Sequence, residues 1–530
     1  MWVMDPASRY PHGPHRPGRT PEERADDFLR VASDFHLGMI PTEQPHPATR
    51  DLSRWARHDL PAAIAALQDV DLGALEALHG HATRIDRLAR RVQETLGRGA
   101  RVFLCGCGAT GRLSLSLESL WRGEAAPRGG REQVISFMAG GDVALVHALE
   151  GFEDHPAYGA RHLEQLGFGE GDLLVACTEG GETPYVIGAT ERAALLSSNR
   201  PCFLYCNPDE ILARHVDRFR RVLENPRIDC YGLEVGPMAL AGSTRMQAST
   251  VLQLAVGLAL MHPDMPAGRA IGSFHARVHA TDLSFLAAFI ERETHLQEAG
   301  EHVIYRAKDY GITVLTDTTE RAPTFSLVPF RRMDDEPGEE SVCYVSLDSA
   351  PDPAQAWEEL LGRPPRALDW ADVDSRTTPD YLRGFDFSAL AVERRRHRIP
   401  GRAHHEFRIR PSALGISMAL GPLQHDLRVA GMPALLRHLM LKQVLNIHST
   451  LVMGRLGRYE GNLMTWVTPT NGKLVDRAAR HVAHLLARAG SSASFEEIVR
   501  RIFHEMETSG PGEPIVLRTF RALSLHRAAS

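Results

Sequence analysis

The sequence has few features that would tie it to a membrane or to nucleic acid. Its 530 residues carry a formal net charge of only −6, which gives no overall attraction to polyanions or to an anionic bilayer. The longest apolar runs, such as residues 251–261, fall far short of the roughly 20 residues that cross a membrane. The first 25 residues are rich in Pro, Arg and His and lack the apolar stretch of a signal peptide. We therefore expect a cytoplasmic protein with a disordered N-terminal tail and without nucleic-acid or membrane partners.

Cysteine is scarce, and no pair has metal-binding spacing. The seven cysteines are an odd number and form no Cys-x-x-Cys motif, which indicates reduced thiols and disfavours both a disulfide framework and a zinc ribbon. His404 and His405 are adjacent but have no partner at helical spacing, so we expect no metal. The basic run at 394–398 is predicted to be a solvated loop or ridge.

Short apolar segments alternate with helix-length segments in the first half of the chain. The strand-like segments are residues 102–107, 134–139, 172–177, 201–206 and 228–235. The helical segments between and after them are residues 111–122, 143–150, 183–197 and 243–261. Strand and helix repeating at intervals of about 30 residues predict a parallel sheet with helices on both faces.

The second half has the character of a degenerate repeat of the first. Helical patterns near 281–299 and 433–453 surround strand-like segments at 302–306, 312–316 and 341–347, and the chain is helical in character from 474 onwards. We predict an α/β fold with two doubly wound parallel-sheet domains and a small helical C-terminal lid. The predicted divisions are a tail and arm (1–60), a first domain (61–265), a degenerate second domain (266–455) and the lid (456–530).

A glycine-rich loop follows the first predicted strand. Gly106, Gly108 and Gly111 fit the pattern G-x-G-x-x-G, which is typical of dinucleotide-binding loops. That interpretation needs an acidic residue at the end of the next strand, about 20 residues further on. Glu132 precedes that strand, and Asp142 lies about 30 residues on. We therefore expect no nicotinamide or other cofactor.

A second loop, residues 178–184, has the sequence Thr-Glu-Gly-Gly-Glu-Thr-Pro and follows the third strand. Glycine N–H groups, hydroxyls and the positive end of a following helix together favour a bound phosphate. Both loops lie at the carboxyl ends of parallel strands and so face one crevice. The predicted contacts are the hydroxyls of Thr110 and Thr183 and the backbone N–H groups of Gly108, Gly111 and Gly181.

A third element is the helix start Gly242-Ser243-Thr244-Arg245-Met246. The serine and threonine are suited to capping that helix. A cation is not favoured at the positive end of a helix, so Arg245 is easier to explain if it meets a bound anion or a nearby carboxylate. We count Ser243 and Arg245 among the candidate ligand contacts.

Five blocks together resemble one known family. They are Gly106 to Leu113, Ala139-Gly140-Gly141 with Glu150-Gly151-Phe152-Glu153-Asp154, Thr183 to Ile187, Gly242 to Met246, and residues 443–474. In this order they resemble the sugar isomerase (SIS) family of N-acetylmuramic acid 6-phosphate etherases and glucokinase regulatory proteins. The resemblance is collinear over residues 40–490. It implies a hexose or N-acetylamino-sugar 6-phosphate as ligand.

The two-domain layout with a lid is closest to the regulatory proteins. Residues 317–325 are similar to the etherases' D-A-S-E-x-P-P-T-[FY] segment, whereas the glycine loop is lost at 306–311. The resemblance therefore implies one sugar-phosphate site, in the first domain, with Lys473 of the closing segment approaching it. The family's serine, arginine and lysine at this site correspond to Gly180, Glu182 and Gln247, which removes donors, and Glu179 adds a further acid.

The resemblance leaves the activity open. The etherases remove the C2 proton and expel D-lactate from C3, and their base corresponds to Glu153. Their acid corresponds to Leu120, and Glu118 lies on the opposite helix face. We accordingly predict a ligand-responsive regulator, with a sugar kinase as candidate partner. The alternative is a carbon–oxygen lyase in which Glu320 supplies the acid opposite Glu153. A third possibility is a scaffold without a ligand.

Overall fold

The computed structural model describes residues 18–35, 37–126, 129–510 and 513–528. Most of the predicted disordered tail, residues 1–17, lies outside this part of the chain. The first helix begins at Pro21, where Thr20 and Glu23 form a reciprocal capping box.

The first sheet has five strands, all parallel, in the order β2-β1-β3-β4-β5. The strands are β1 (Val102–Gly106), β2 (Val134–Met138), β3 (Leu173–Cys177), β4 (Cys202–Tyr205) and β5 (Asp229–Gly232). They occupy the five segments predicted from sequence. Nearly every residue of β1 to β4 is buried, because helices cover both faces of a parallel sheet.

Ten α-helices accompany this sheet within the described residues. They are α1 (Pro21–Leu29), α2 (Leu52–His58), α3 (Leu60–Gly80), α4 (Ala82–Gly97), α5 (Ala109–Leu120), α6 (Pro156–Gln165), α7 (Pro184–Leu196), α8 (Asp209–His215), α9 (Asp217–Leu223) and α10 (Gln247–Met261). The prediction of a helix over 143–150 was wrong. Gly140 and Gly141 adopt φ values of +86° and +71° and turn the chain into short 3₁₀ segments, and Pro156 then starts α6 from its first position.

Helices α6 and α7 pack closely through glycine. A Cβ atom at Gly188 would lie 2.0 Å from the carbonyl oxygen of Pro156, and one at Gly159 would lie 2.0 Å from that of Tyr185. Backbone atoms cannot move aside as a side chain can, so both positions require glycine.

Opposite effects on stability are expected from the same substitution at two helical glycines. Gly188→Ala should lower the free energy of unfolding by about 1–3 kcal/mol, because the added methyl overpacks the α6–α7 contact. Gly73→Ala, at an exposed position in α3 with open space around it, should raise it by up to about 1 kcal/mol through helix propensity. Urea denaturation of both variants measures this, and a stabilised Gly188→Ala protein would contradict the packing.

The second sheet also has five strands, in the order β10-β9-β8-β6-β7. The strands are β6 (His302–Ala307), β7 (Cys343–Leu347), β8 (His404–Ser412), β9 (Gly415–Leu420) and β10 (Leu423–Arg428). β7, β6 and β8 are parallel, whereas β8, β9 and β10 form an antiparallel meander. The α/β class with two sheets is confirmed, and the meander is a feature that the sequence did not predict.

Ten further α-helices lie in the second half and at the C-terminal end of the described chain. They are α11 (Ala267–His279), α12 (Leu286–Glu298), α13 (Gly311–Phe325), α14 (Pro353–Leu361), α15 (Pro379–Arg383), α16 (Ala391–Arg398), α17 (Ala434–Arg455), α18 (Gly472–Arg488), α19 (Phe495–Thr508) and α20 (Ile515–Ala528). The predicted strand at 312–316 was wrong, since it lies within α13. This helix is buried on almost every side, and a fully buried helix loses the periodicity that distinguishes it from a strand.

Several helices join the two halves. Helix α17 packs against α2, α3 and α10 of the first half and against α12 and α13 of the second. The domain boundaries at residues 60, 265 and 455 stay predictions, because helices pack together across them. In the described part of the chain, no helix combines the length and the apolar character needed to cross a membrane.

The basic run at 394–398 is not wholly solvated, in contrast to the prediction. Arg395 on α16 is 1% exposed and donates to Glu340 and to the carbonyl oxygen of Ser341. Its neighbours Arg394 and Arg396 remain partly exposed. One face of the run is therefore structural.

Candidate functional site

A cavity of about 720 Å³ lies where the carboxyl ends of the first sheet meet α13 and the start of α18. Its volume is in the range of small-molecule sites, about 300–1,000 Å³. The predicted site residues that line it are Gly108, Glu153, Thr183, Ser243, Arg245, Glu320 and Lys473. Thr110, Gly111 and Gly181 are not in its lining.

The first loop forms part of the cavity wall through Gly108 and Arg112. Thr110 lies behind this wall: its hydroxyl donates to the carbonyl oxygen of Cys107 and accepts from the N–H of Cys107, both at 2.9 Å. Gly111 packs on β2, where a Cβ atom would lie 2.5 Å from that of Met138. Thr110 and Gly111 thus hold the shape of the loop, and Gly108 is the predicted member that faces the cavity.

The second loop contributes Glu179 and Thr183 to the wall. The Thr183 hydroxyl lies 3.0 Å from that of Thr178, so the two threonines close the loop. Gly181 adopts φ = +79°, and a Cβ atom there would lie 2.7 Å from Leu212. Its role in the structure is therefore to make the turn.

Lys473, near the start of α18, crosses to the first half of the chain. Its Nζ atom lies 2.8 Å from Oε1 of Glu153 and 2.7 Å from Oε1 of Glu182. Burial alone would lower the pKa of Lys473, but Glu153 and Glu182 outweigh burial and raise this pKa well above its usual value. Glu182 also accepts from the buried Arg218. Glu182, which corresponds to the family's arginine, therefore binds Lys473 at the cavity.

Arg245 is paired with a carboxylate. Its place at the start of a helix predicted either a bound anion or a carboxylate as its partner. Its Nη1 atom donates to Oδ1 of Asp317 at 3.2 Å, and Nη2 donates to Ser449 and Thr450 at 3.0 and 2.7 Å. The guanidinium is thus an ionic link between α13 and the start of α10. Beside it, Ser243 is 6% exposed, and its hydroxyl has no hydrogen-bond partner among the residues that the structure describes.

Glu320 is placed on the same cavity as Glu153 although it comes from the second half of the chain. It is 4% exposed, and its Oε2 atom finds no hydrogen-bond partner in the described ranges. Burial raises the pKa of Glu320, against the opposing effect of Arg112, Arg245 and Lys442. This carboxyl group therefore holds a proton more tightly than a solvent-exposed glutamate does.

Glu179 is a second buried acid on the cavity, and sequence reasoning did not assign it a role. It is 8% exposed, and its Oε1 atom likewise has no partner within the described chain. Burial raises the pKa of Glu179 to about 7, and the negative charge of Glu320 adds to the effect. The signal in the sequence was an acid in a loop otherwise suited to an anion.

Glu118 does not take the place of the family's acid. It is 1% exposed and accepts hydrogen bonds from Arg122, Arg363 and Arg366. Leu120 is also buried, and neither residue lines the cavity. Glu118 is therefore a structural anchor for the loop that carries Arg363 and Arg366.

Comparison with known proteins gives a consistent result. The family model described as the glucokinase regulatory protein N-terminal SIS domain matches residues 82–194. An N-acetylmuramic acid 6-phosphate etherase of Mycolicibacterium smegmatis is 29% identical over 248 residues, which is 46% of this chain and 77% of the relative. One of Deinococcus radiodurans is 32% identical over 242 residues, or 46% of this chain and 73% of the relative.

Among solved structures, the C-terminal domain of glucosamine-fructose-6-phosphate aminotransferase from Francisella tularensis aligns with a TM-score of 0.39 and 9% sequence identity, covering 75% of this chain and 96% of that one. The identity to the etherases extends over nearly three quarters of the Deinococcus protein. It accompanies a parallel sheet with the glycine-rich loops described above. The chain belongs to the SIS-domain family of N-acetylmuramic acid 6-phosphate etherases and glucokinase regulatory proteins.

Proposed function

We propose that the cavity binds an amino-sugar 6-phosphate and that the protein is a carbon–oxygen lyase that cleaves a D-lactyl ether. The observation that carries the proposal is that Glu153 and Glu320, from different halves of the chain, line one cavity. A fused chain can divide one site between its halves, so Leu120 in the first half does not remove the acid from the site. The etherase relatives support the same reaction.

The phosphate end of the ligand has suitable donors in the first half. Gly108, Arg112 and Ser243 line the cavity, and the hydroxyl of Ser243 has no hydrogen-bond partner among the described residues. Gly108 immediately precedes α5, whose positive end favours an anion. These groups would bind the phosphate, with Thr183 at the second loop.

The two glutamates fit the two proton transfers of an elimination. Glu153 takes the proton from C2, the C–H electron pair forms the C2–C3 double bond, and the C3–O bond breaks. Glu320 then gives its proton to the departing lactate oxygen, so that D-lactate leaves as the free hydroxy acid. Burial raises the pKa of Glu320, which is the direction that a general acid requires. Lys473, bonded to Oε1 of Glu153, holds the base in place.

D-lactate release is the direct test. Purified protein is incubated with muramic acid 6-phosphate in both its N-acetylated and its free-amine form, so that the result does not depend on the C2 substituent. D-lactate is measured with a coupled D-lactate dehydrogenase assay. We expect one D-lactate per molecule of at least one of the two sugars. No release from either sugar would contradict the lyase.

A ligand-responsive regulator is the second candidate, and the position of Lys473 favours it. A sugar phosphate that contacts Glu153 or Lys473 competes with the ion pair that ties α18 to the first half. Binding would then loosen the C-terminal helices and alter a protein partner, for which a sugar kinase stays a prediction. A rise in melting temperature with sugar phosphates, together with no D-lactate release, would favour this candidate over the lyase.

A further inference from the structure

Two buried carboxyl groups on the cavity have incomplete hydrogen bonding within the part of the chain that the structure describes. Glu179 is 8% exposed and Glu320 is 4% exposed, and each has one oxygen with no hydrogen-bond partner among the described residues. Glu179 belongs to the second loop and Glu320 to α13, and both line the cavity. A buried polar group without a partner costs free energy, so this pair is arranged for a ligand rather than for stability.

The cations near the pair are largely committed to other acids. Arg245 is bonded to Asp317, and Lys473 is bonded to Glu153 and Glu182. Arg477, also on the cavity, donates to Glu43 through two nitrogens. These three cations are therefore engaged by acids other than Glu179 and Glu320, whereas Arg112 and Lys442 also act on the pKa of Glu320.

The position of the pair relates it to one part of the sugar. If Glu320 protonates the leaving oxygen at C3, the substituent on the neighbouring carbon C2 lies close to the same carboxyl group. Glu179 lines the same cavity, and the charge of Glu320 raises the pKa of Glu179. On this placement the C2 substituent would meet both glutamates.

We propose that Glu179 and Glu320 together bind a primary ammonium group, so that the sugar held in this cavity has a free amine at C2 instead of an acetamide. This inference rests on the proposed function. An ammonium has three N–H donors and a positive charge, and so can satisfy both carboxyl groups at once. An acetamide has one N–H donor, and its carbonyl oxygen and methyl group would lie against the second carboxyl group.

Two probes that differ only at C2 test the proposal, namely glucosamine 6-phosphate and N-acetylglucosamine 6-phosphate. We expect calorimetric titration of the wild-type protein to show about 10- to 100-fold tighter binding of the free amine, as for one charge-assisted hydrogen-bonded pair. Glu179→Gln should reduce this ratio to about threefold or less, because it removes a charge and keeps the shape. Glu339→Gln is the matched control, since Glu339 is an exposed acid on the same cavity, and should retain the wild-type ratio.

Equal binding of the two sugars by the wild-type protein, or tighter binding of the acetylated one, overturns the inference. So does an undiminished ratio in Glu179→Gln. If that variant does not fold, Glu320→Gln is measured instead, and the same loss of preference is expected. The titration does not depend on turnover. D-lactate release without this preference contradicts only the inference, and this preference without D-lactate release contradicts only the lyase. Absence of binding by both probes also overturns the inference, whereas the lyase is judged by D-lactate release.

Discussion

Replacing Glu320 by glutamine is expected to lower the rate of D-lactate release by about 100-fold or more, because general acid catalysis contributes roughly 10²–10⁴ to rates. Glutamine has nearly the same shape as the protonated acid but has no proton to transfer to the lactate oxygen. We expect kcat to fall much more than KM changes, since the proton is transferred only as the C3–O bond breaks. Steady-state kinetics on the sugar that the wild-type protein turns over measures both constants.

The control for this result is another acid on the same cavity. Glu339→Gln is the same substitution at another acid on this cavity, but Glu339 is exposed and lies outside the group that we assign to catalysis. It should retain a rate within about threefold of the wild type. A Glu320→Gln protein with the wild-type rate would show that the acid comes from elsewhere, and the composite site would fail.

The largest expected effect on stability is that of Asp317→Asn, which should lower the free energy of unfolding by about 3–5 kcal/mol, as when one member of a buried ion pair is removed. Asp317 is 1% exposed and accepts from Arg245 at 3.2 Å and from Arg321 at 2.8 Å. Burial raises its pKa, but the two arginines outweigh burial and lower it overall. Asparagine leaves both guanidinium groups buried with less negative charge beside them.

Guanidinium chloride denaturation compares this variant with a surface pair. Glu164→Gln removes the partner of Arg192, and both side chains are more than a third exposed. It should cost less than about 1 kcal/mol. If Asp317→Asn costs no more than Glu164→Gln, the buried ionic link between α10, α13 and α17 contributes little to joining the halves.

The first sheet could be predicted from sequence because its strands are buried on both faces. Each therefore appears as a short continuous apolar run, and glycine-rich turns follow β1, β2 and β3. The second sheet offers weaker signals. β8 alternates buried residues such as Phe407 and Ile409 with exposed charged ones such as Arg408. No strand was predicted for this segment, and the antiparallel meander was missed.

For the candidate site, sequence identified the elements but could not assign every contact. Thr110 has the residue type of a phosphate ligand, yet its hydroxyl is bonded within its own loop. Lys473 and Glu153 are 320 positions apart in the sequence, so their ion pair depends on how the helices pack. Glu179 became a candidate only from the structure, because its Oε1 atom lacks a hydrogen-bond partner in the described chain. No sequence motif predicts this.

Helix α17 has a consequence for how the chain is made. Leu52, Ala56 and Leu67 of α2 and α3 are fully buried, and α17 packs against both helices. A ribosome releases α2 and α3 hundreds of residues before α17, at about 5–20 residues per second. During that interval the apolar faces of these helices lack their native cover, and the cavity lacks Lys473. A ribosome that stops before α17 therefore leaves a product that exposes this apolar surface and has an incomplete cavity.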